Sequence, residues 1–294
     1  MVRVLGHRGV RQHKGTDENS IPAFERALNE SDGIETDVVV SKDKTPFLCH
    51  ETRQITIPKL YTRATSSLKR HLNRASAKLV RGRRIDQLAS NDVDCLKLRK
   101  GSKLPRLAEL FELASQHPGK ILDIELKGYN TVAPVIAEIH KAIAAGKITK
   151  EQVILTSFDH AAIVEARKID PEIKCGMIFA RRDMSDKPIY PWENDSSRVY
   201  APLDERTLTG RRAREANPDY FVMTARSVTP ENIAKIQKHY PNAKIMIWTT
   251  KRPERDRVLK KKLANPEIAS HIDTIITDFP AKMTGMLKQR GLRP

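Results

Sequence analysis

The chain has 294 residues, 39% hydrophobic and 30% charged, which allows one large core or two modest ones and suits a soluble globular protein. No apolar run approaches the roughly 18 residues of a membrane span, and Met1–His7 lacks the apolar core and cleavage site of a signal peptide, so a cytoplasmic location is expected. The formal charge of +17 favours anionic partners without specifying a fold, and Cys49, Cys95 and Cys175 are too few and too scattered for a disulfide framework or zinc knuckle.

In chain order, short β-branched runs predict strands at Val2–Gly6, Ile34–Val40, Ile121–Leu126, Val153–Phe158, Ile173–Phe179, Tyr220–Thr224, Lys244–Thr249 and Thr274–Thr277. Amphipathic patterns between them predict helices over Ser20–Asn29, Arg106–Ser115, Val132–Ala145, Ala161–Lys168, Thr229–His239 and Glu254–Leu263. Alternating β and α units imply a parallel sheet, and eight of them over this length favour an α/β fold of the TIM-like (β/α)8 barrel kind. No glycine-rich dinucleotide fingerprint follows any strand, which counts against an open doubly wound sheet. The expected organisation is one barrel domain over residues 1–294.

Two stretches break the alternation. After the second strand, a turn at Lys42–Lys44 leads into a short extended run, and a basic insertion over residues 52–102 is then expected to lie over the barrel mouth. From Thr52 to Ile85 it contains no acid but ten Lys and Arg residues. An irregular stretch runs from Arg181 to about Pro202. A second basic knot is Lys251, Arg252, Arg255, Arg257, Lys260, Lys261 and Lys262, relieved only by Glu254 and Asp256.

Reactive groups of a parallel barrel collect at the C-terminal ends of its strands. There the sequence places Gly6-His7-Arg8-Gly9, Glu35-Thr36-Asp37, His50-Glu51 and Glu125-Leu126-Lys127. Side chains two apart on a strand share a face, so Glu35 pairs with Asp37 and Glu125 with Lys127. Three carboxylates converging on one mouth repel unless a cation lies among them, and hard oxygen donors suit one Mg2+ or Ca2+, not zinc. His7 and His50 stand beside them as an acid and base, with Arg8 and Lys127 as cations for phosphoryl oxygens. That combination suits phosphodiester cleavage. The other histidines read as surface or satisfied core residues.

At these residues the sequence resembles the glycerophosphodiester phosphodiesterase family, within the phospholipase-C-like phosphodiesterase barrels. The resemblance rests on Gly6-His7-Arg8-Gly9, Glu18-Asn19-Ser20, Gly33-Ile34-Glu35-Thr36-Asp37, Pro46-Phe47-Leu48 with His50, Leu104-Pro105 and Glu125-Leu126-Lys127. Weaker echoes are Ser157-Phe158, Trp248-Thr249 and Thr277-Asp278-Phe279-Pro280. It implies that Glu35, Asp37 and Glu125 bind the metal and that His7 and His50 are catalytic. Arg8 and Lys127 would hold the phosphate, and Trp248 would line the site near the glycerol or leaving group, unless it is a core aromatic. Glu18 and Asn19 would organise the loop after His7, and Asp278 would be a structural partner at the last strand. The chain departs from the family pattern after His50 and at Lys251, which bears on the alcohol and not on the hydrolytic centre.

The implied reaction is hydrolysis of a glycerophosphodiester to glycerol 3-phosphate and an alcohol. An enzymatic rival is a lysophospholipase D that touches anionic membranes through the basic insertion, whose Leu60, Leu68, Leu72 and Leu79 would suit an interfacial helix. A rival of another class is an inactive polyanion-binding barrel. Against it, the basic segment carries no interleaved aromatics beyond Tyr61, so no nucleic-acid partner is expected.

Overall fold

The computed structural model describes residues 1–50, 72–80, 83–127, 129–179 and 201–294. The β-branched runs form strands β1 (Arg3–His7), β2 (Gly33–Val40), β3 (Pro46–Leu48), β4 (Ile121–Leu126), β5 (Val153–Ser157), β6 (Lys174–Ile178), β7 (Tyr220–Thr224), β8 (Lys244–Thr249) and β9 (Ile272–Thr277). Strand β2 is buried at every position, as a strand covered on both faces must be. The sheet runs β1-β9-β8-β7-β6-β5-β4-β2, and a parallel β1–β2 pairing closes it. This is the expected (β/α)8 barrel. Strand β3 adds to β2 in antiparallel fashion, with Val38 opposite Leu48, which brings the following Cys49 and His50 back beside Asp37.

Around it lie α1 (Ile21–Glu30), α2 (Arg74–Leu79), α3 (Ser90–Asp94), α4 (Leu107–Ser115), α5 (Val132–Ala144), α6 (His160–Ile169), α7 (Glu205–Thr209), α8 (Arg211–Ala216), α9 (Pro230–His239), α10 (Arg257–Ala264), α11 (Pro266–Ala269) and α12 (Pro280–Gln289). Helix α10 starts three residues after its expected Glu254. Pro253–Arg255 forms a separate 3-10 turn, and the Asp256 carboxylate then caps the helix by accepting from the Leu259 N–H at 3.0 Å. No helix among the described residues is long and apolar enough to cross a membrane.

Burial falls into three clusters. One fills the space between strands and helices, and one, including Leu5, Ile154, Val222 and Met246, fills the barrel interior. The third joins Phe47 and Cys49 to Leu72, Val80, Ile85, Leu88, Val93, Leu96 and Leu98, so the described part of the basic insertion carries a small core of its own. Each such side chain contributes about 1.5–3 kcal/mol through burial. The rest of the insertion, with Leu60 and Leu68, lies outside the described residues, as does most of the Arg181–Pro202 stretch. At the end opposite the strand C-termini, the Val2 N–H donates to Leu292 O at 3.0 Å, and Arg293 makes two hydrogen bonds to the Asp32 carboxylate.

Candidate active site

The loop leaving β1 is shaped by two glycines. Gly9 has φ +78°, and a Cβ there would lie 2.6 Å from the Ala23 carbonyl; a Cβ on Gly6 would lie 2.5 Å from Gly9 O. The loop therefore sits directly on α1, and side chains are excluded at both positions. Between them Arg8 is also left-handed, at φ 52°, a cost that a non-glycine residue bears only where its surroundings hold it. Here the Arg8 N–H donates to Glu35 Oε2 at 3.0 Å, and Arg8 O accepts from the Asn19 N–H at 3.1 Å.

Register brings the acids together. On β2 and β4, Asp37 lies opposite Glu125 and Glu35 opposite Asp123. One carboxylate oxygen each from Glu35, Asp37 and Glu125 lies within 4.8 Å of the others, and all three residues are buried. The Lys127 ammonium contacts Glu125 and lies 2.9 Å from Asp37 Oδ1, while Arg8 Nε lies 3.1 Å from Asp37 Oδ2. Among the described residues neither Asp37 Oδ1 nor Arg8 Nε finds a directed hydrogen bond, so these contacts are coulombic. Asn19 donates to Asp37 Oδ2 at 3.0 Å and accepts from Thr36, and Glu18 bridges Arg8 and Arg11. Both residues thus hold the loop and its neighbours in place.

The two strands divide the charge unevenly. Burial alone pushes Asp37 up, but Lys127, Arg8 and His50 outweigh it and hold its carboxyl well below the usual range. Glu35 goes the other way. Burial, then repulsion from Asp37 and Glu125, raises it well above an ordinary glutamate, and Glu125 is raised by burial despite Lys127. When all three acids ionise, the two cations described beside them, Arg8 and Lys127, leave net negative charge to be neutralised. All the donors are hard oxygens, so the set fits Mg2+ or Ca2+.

These groups open on a cleft of about 230 Å3 at the C-terminal ends of the strands, which also takes in His7, His50 and Trp248. His7 Nδ1 lies 2.5 Å from Asp278 Oδ1, and its Nε2 lies 3.8 Å from Glu35 Oε2. Burial lowers the His7 pKa, opposed by the Asp278 hydrogen bond. The structure thus gathers His7, Arg8, Glu35, His50, Glu125, Lys127 and Trp248 around one cavity, with Asp37 directly behind it.

The family model for the glycerophosphoryl diester phosphodiesterase family matches residues 7–282. The chain belongs to that family. It is similar to a glycerophosphodiester phosphodiesterase of Caldanaerobacter subterraneus, at 26% identity over 98% of both chains. Its fold resembles that of a glycerophosphodiester phosphodiesterase from Parabacteroides distasonis, with a TM-score of 0.68 and 18% identity over 99% of this chain and 98% of the other. It also resembles an Oleispira antarctica phosphodiesterase whose structure contains the product sn-glycerol 3-phosphate, with a TM-score of 0.64 and 18% identity over 97% and 96% of the two chains. The family is one of phosphoric diester hydrolases, in keeping with the enzyme expected from the sequence.

Two residues of this family member stand closer to the chemistry than the sequence reading gave them. Asp278, expected as a structural partner, bonds His7 directly; it also receives Gln12 at 3.1 Å and Arg11 at 3.4 Å. Asp123, two residues before Glu125 and on the same face, lines the cleft, and burial pushes it up to about 7. Thr156 donates to its Oδ1 at 2.7 Å, whereas its Oδ2 has no partner among the described residues. The Asp123-x-Glu125-x-Lys127 spacing was the available signal. The Trp248 indole N–H is likewise buried without a described partner, while its ring packs against the interior cluster. His160, by contrast, is a satisfied core residue, 3.0 Å from Ile178 O.

Proposed function

We propose that this chain hydrolyses glycerophosphodiesters to sn-glycerol 3-phosphate and an alcohol, using one Mg2+ or Ca2+ held by Glu35, Asp37 and Glu125. The observation that carries the reading is the convergence of three buried carboxylates, two histidines, a guanidinium and an ammonium on one cleft. Family membership supports it, as does the sn-glycerol 3-phosphate held by the Oleispira antarctica relative. The bound divalent ion supplies positive charge against the phosphoryl oxygens and a fixed point for the diester.

In this reading Arg8 and Lys127 hold non-bridging phosphoryl oxygens and stabilise the charge that develops on them. One imidazole of the His7 and His50 pair takes a proton from the oxygen nucleophile as it bonds to phosphorus, the nucleophile being water in the step that completes hydrolysis. The other delivers a proton to the departing alkoxide as its bond to phosphorus breaks. Asp278 fixes the Nδ1 side of His7, leaving Nε2 for proton transfer. Glu18 and Asn19 position Arg8 and Asp37, and Trp248 forms the apolar wall for the glycerol or the leaving group. The described part of the basic insertion packs on Phe47 and Cys49, next to His50.

The test is release of glycerol phosphate across a panel of headgroups, with lysolipids included, in excess EDTA and after adding back Mg2+ or Ca2+. Chelation should silence the enzyme and either ion should restore it. His7→Ala and His50→Ala should each cost at least about 10²-fold in kcat with the fold intact. Undiminished turnover in EDTA would remove the metal role, and wild-type rates in either variant would remove that histidine.

A further inference from the structure

Away from the cleft, a groove of about 440 Å3 runs between the loop after β7 and the α10–α11 pair. Arg226, Arg257, Lys261 and Lys262 line it, with Val258 and Ile268 as aliphatic walls. Arg226, Arg257 and Lys261 are exposed and Lys262 is half-buried. Among the described residues none of the four has a carboxylate within 4.0 Å, although ion pairs are common elsewhere on this surface, as at Lys235–Glu231 and Lys150–Glu172. The nearby acids are engaged or turned away. Asp256 bonds Thr249 and caps α10, Glu254 pairs with Lys282, and Glu267 does not line the groove.

Such an arrangement is costly without a ligand. Like charges one turn apart on a helix, as Arg257 and Lys261 are, destabilise it. Arg226 converges on them from a separate loop. A concave site of this volume falls within the range of small-molecule pockets, about 300–1,000 Å3, whereas a bilayer presents a flat surface. Guanidinium groups bind phosphate oxygens in a two-pronged geometry, and the aliphatic walls suit an organic body.

We propose that this groove binds a soluble organic polyphosphate, of the chemical class of the nucleoside triphosphates, at a site separate from the phosphodiesterase cleft. The proposal does not depend on the catalytic reading above. It is tested with the full-length chain in excess EDTA at physiological salt, by calorimetric titration with ATP and with inorganic tripolyphosphate. Hydrogen–deuterium exchange of the wild type then locates the site. Binding should protect residues 257–268, and the Arg257→Glu/Lys261→Glu double variant should weaken affinity by about tenfold or more. The Lys288→Glu/Arg290→Glu control at the C-terminal end of α12 makes the same charge change and should stay within about twofold of the wild type.

Equal losses in both double variants would reduce the effect to overall charge and overturn the proposal. So would absence of binding, or protection confined to the cleft. A further arm uses vesicles of phosphatidylglycerol and phosphatidylcholine. Vesicle binding abolished by the groove variant, with neither polyphosphate bound there, would make the groove a membrane surface instead.

Discussion

Asp278 Oδ1 and His7 Nδ1 stand 2.5 Å apart across 271 residues of sequence, joining the end of β9 to the end of β1. The Asp278 carboxylate is fully buried, so the imidazole has one fixed orientation and presents Nε2 to the cleft. Asp278→Asn keeps the volume but offers the wrong donor pattern. It should lower kcat by about 10- to 100-fold and leave KM and the melting temperature little changed. Steady-state kinetics with a melting curve decide this, and an unchanged kcat would reduce Asp278 to a structural role.

Glu35 is a buried acid held against two others, and its raised pKa means that ionisation opposes folding. The sign follows from linkage. A carboxyl raised in the folded state stabilises it fully below the ordinary glutamate pKa and loses that contribution as pH rises. In metal-free protein at pH 8, Glu35→Gln should therefore melt higher than the wild type, by an amount on the order of 1–2 kcal/mol. Adding Mg2+ or Ca2+ should raise the melting temperature of the wild type and have much less effect on the variant. Identical metal-induced shifts in both proteins would place the ion elsewhere.

Asp170, just beyond α6, behaves in the opposite sense. Burial pushes it up, but hydrogen bonds from His140 at 2.8 Å, the Glu172 N–H at 2.9 Å and Lys150 bring it down to about 2. Its contribution is complete above the unfolded value near 4 and disappears as pH falls through about 2. Because His140 is half exposed, solvent screening leaves about 1 kcal/mol. Urea denaturation should show Asp170→Asn less stable by that amount at pH 7, with the gap closing below pH 4. A gap of constant size from pH 7 to pH 3 would contradict the assignment.

The thiols differ in access. Cys95 is exposed, whereas Cys49 and Cys175 are buried, and burial pushes the Cys175 thiol up to about 12. At pH 8 only about one Cys175 in 10⁴ is a thiolate. A disulfide reagent should therefore titrate one thiol in the native chain and three in urea, and Cys95→Ser should abolish the native reaction. Rapid labelling of a second native thiol would show that the core opens readily.

Much of the barrel could be read in the sequence because its strands are short β-branched runs and its acids recur with period two. Glu35, Asp37 and Glu125 meet because that period turns them to the same face and the β2–β4 register sets them side by side. The period said nothing about Asp278, whose importance depends on which residue lies across the closed seam. Helix α10 began late because a side-chain cap at Asp256 outweighed the amphipathic pattern before it. Helices α7, α8 and α11 are too short to produce a periodic signal, although Pro280 at the start of α12 was available as one.

The stapling of Val2 to Leu292 and of Asp32 to Arg293 puts these residues on the face away from the cleft. Since residues 2 and 292 already touch, a short linker could join them and new termini could be opened in a surface loop, giving a circularly permuted barrel with its catalytic groups in place. A surface tether attached beside Val2 or Leu292 would leave the mouth facing the substrate.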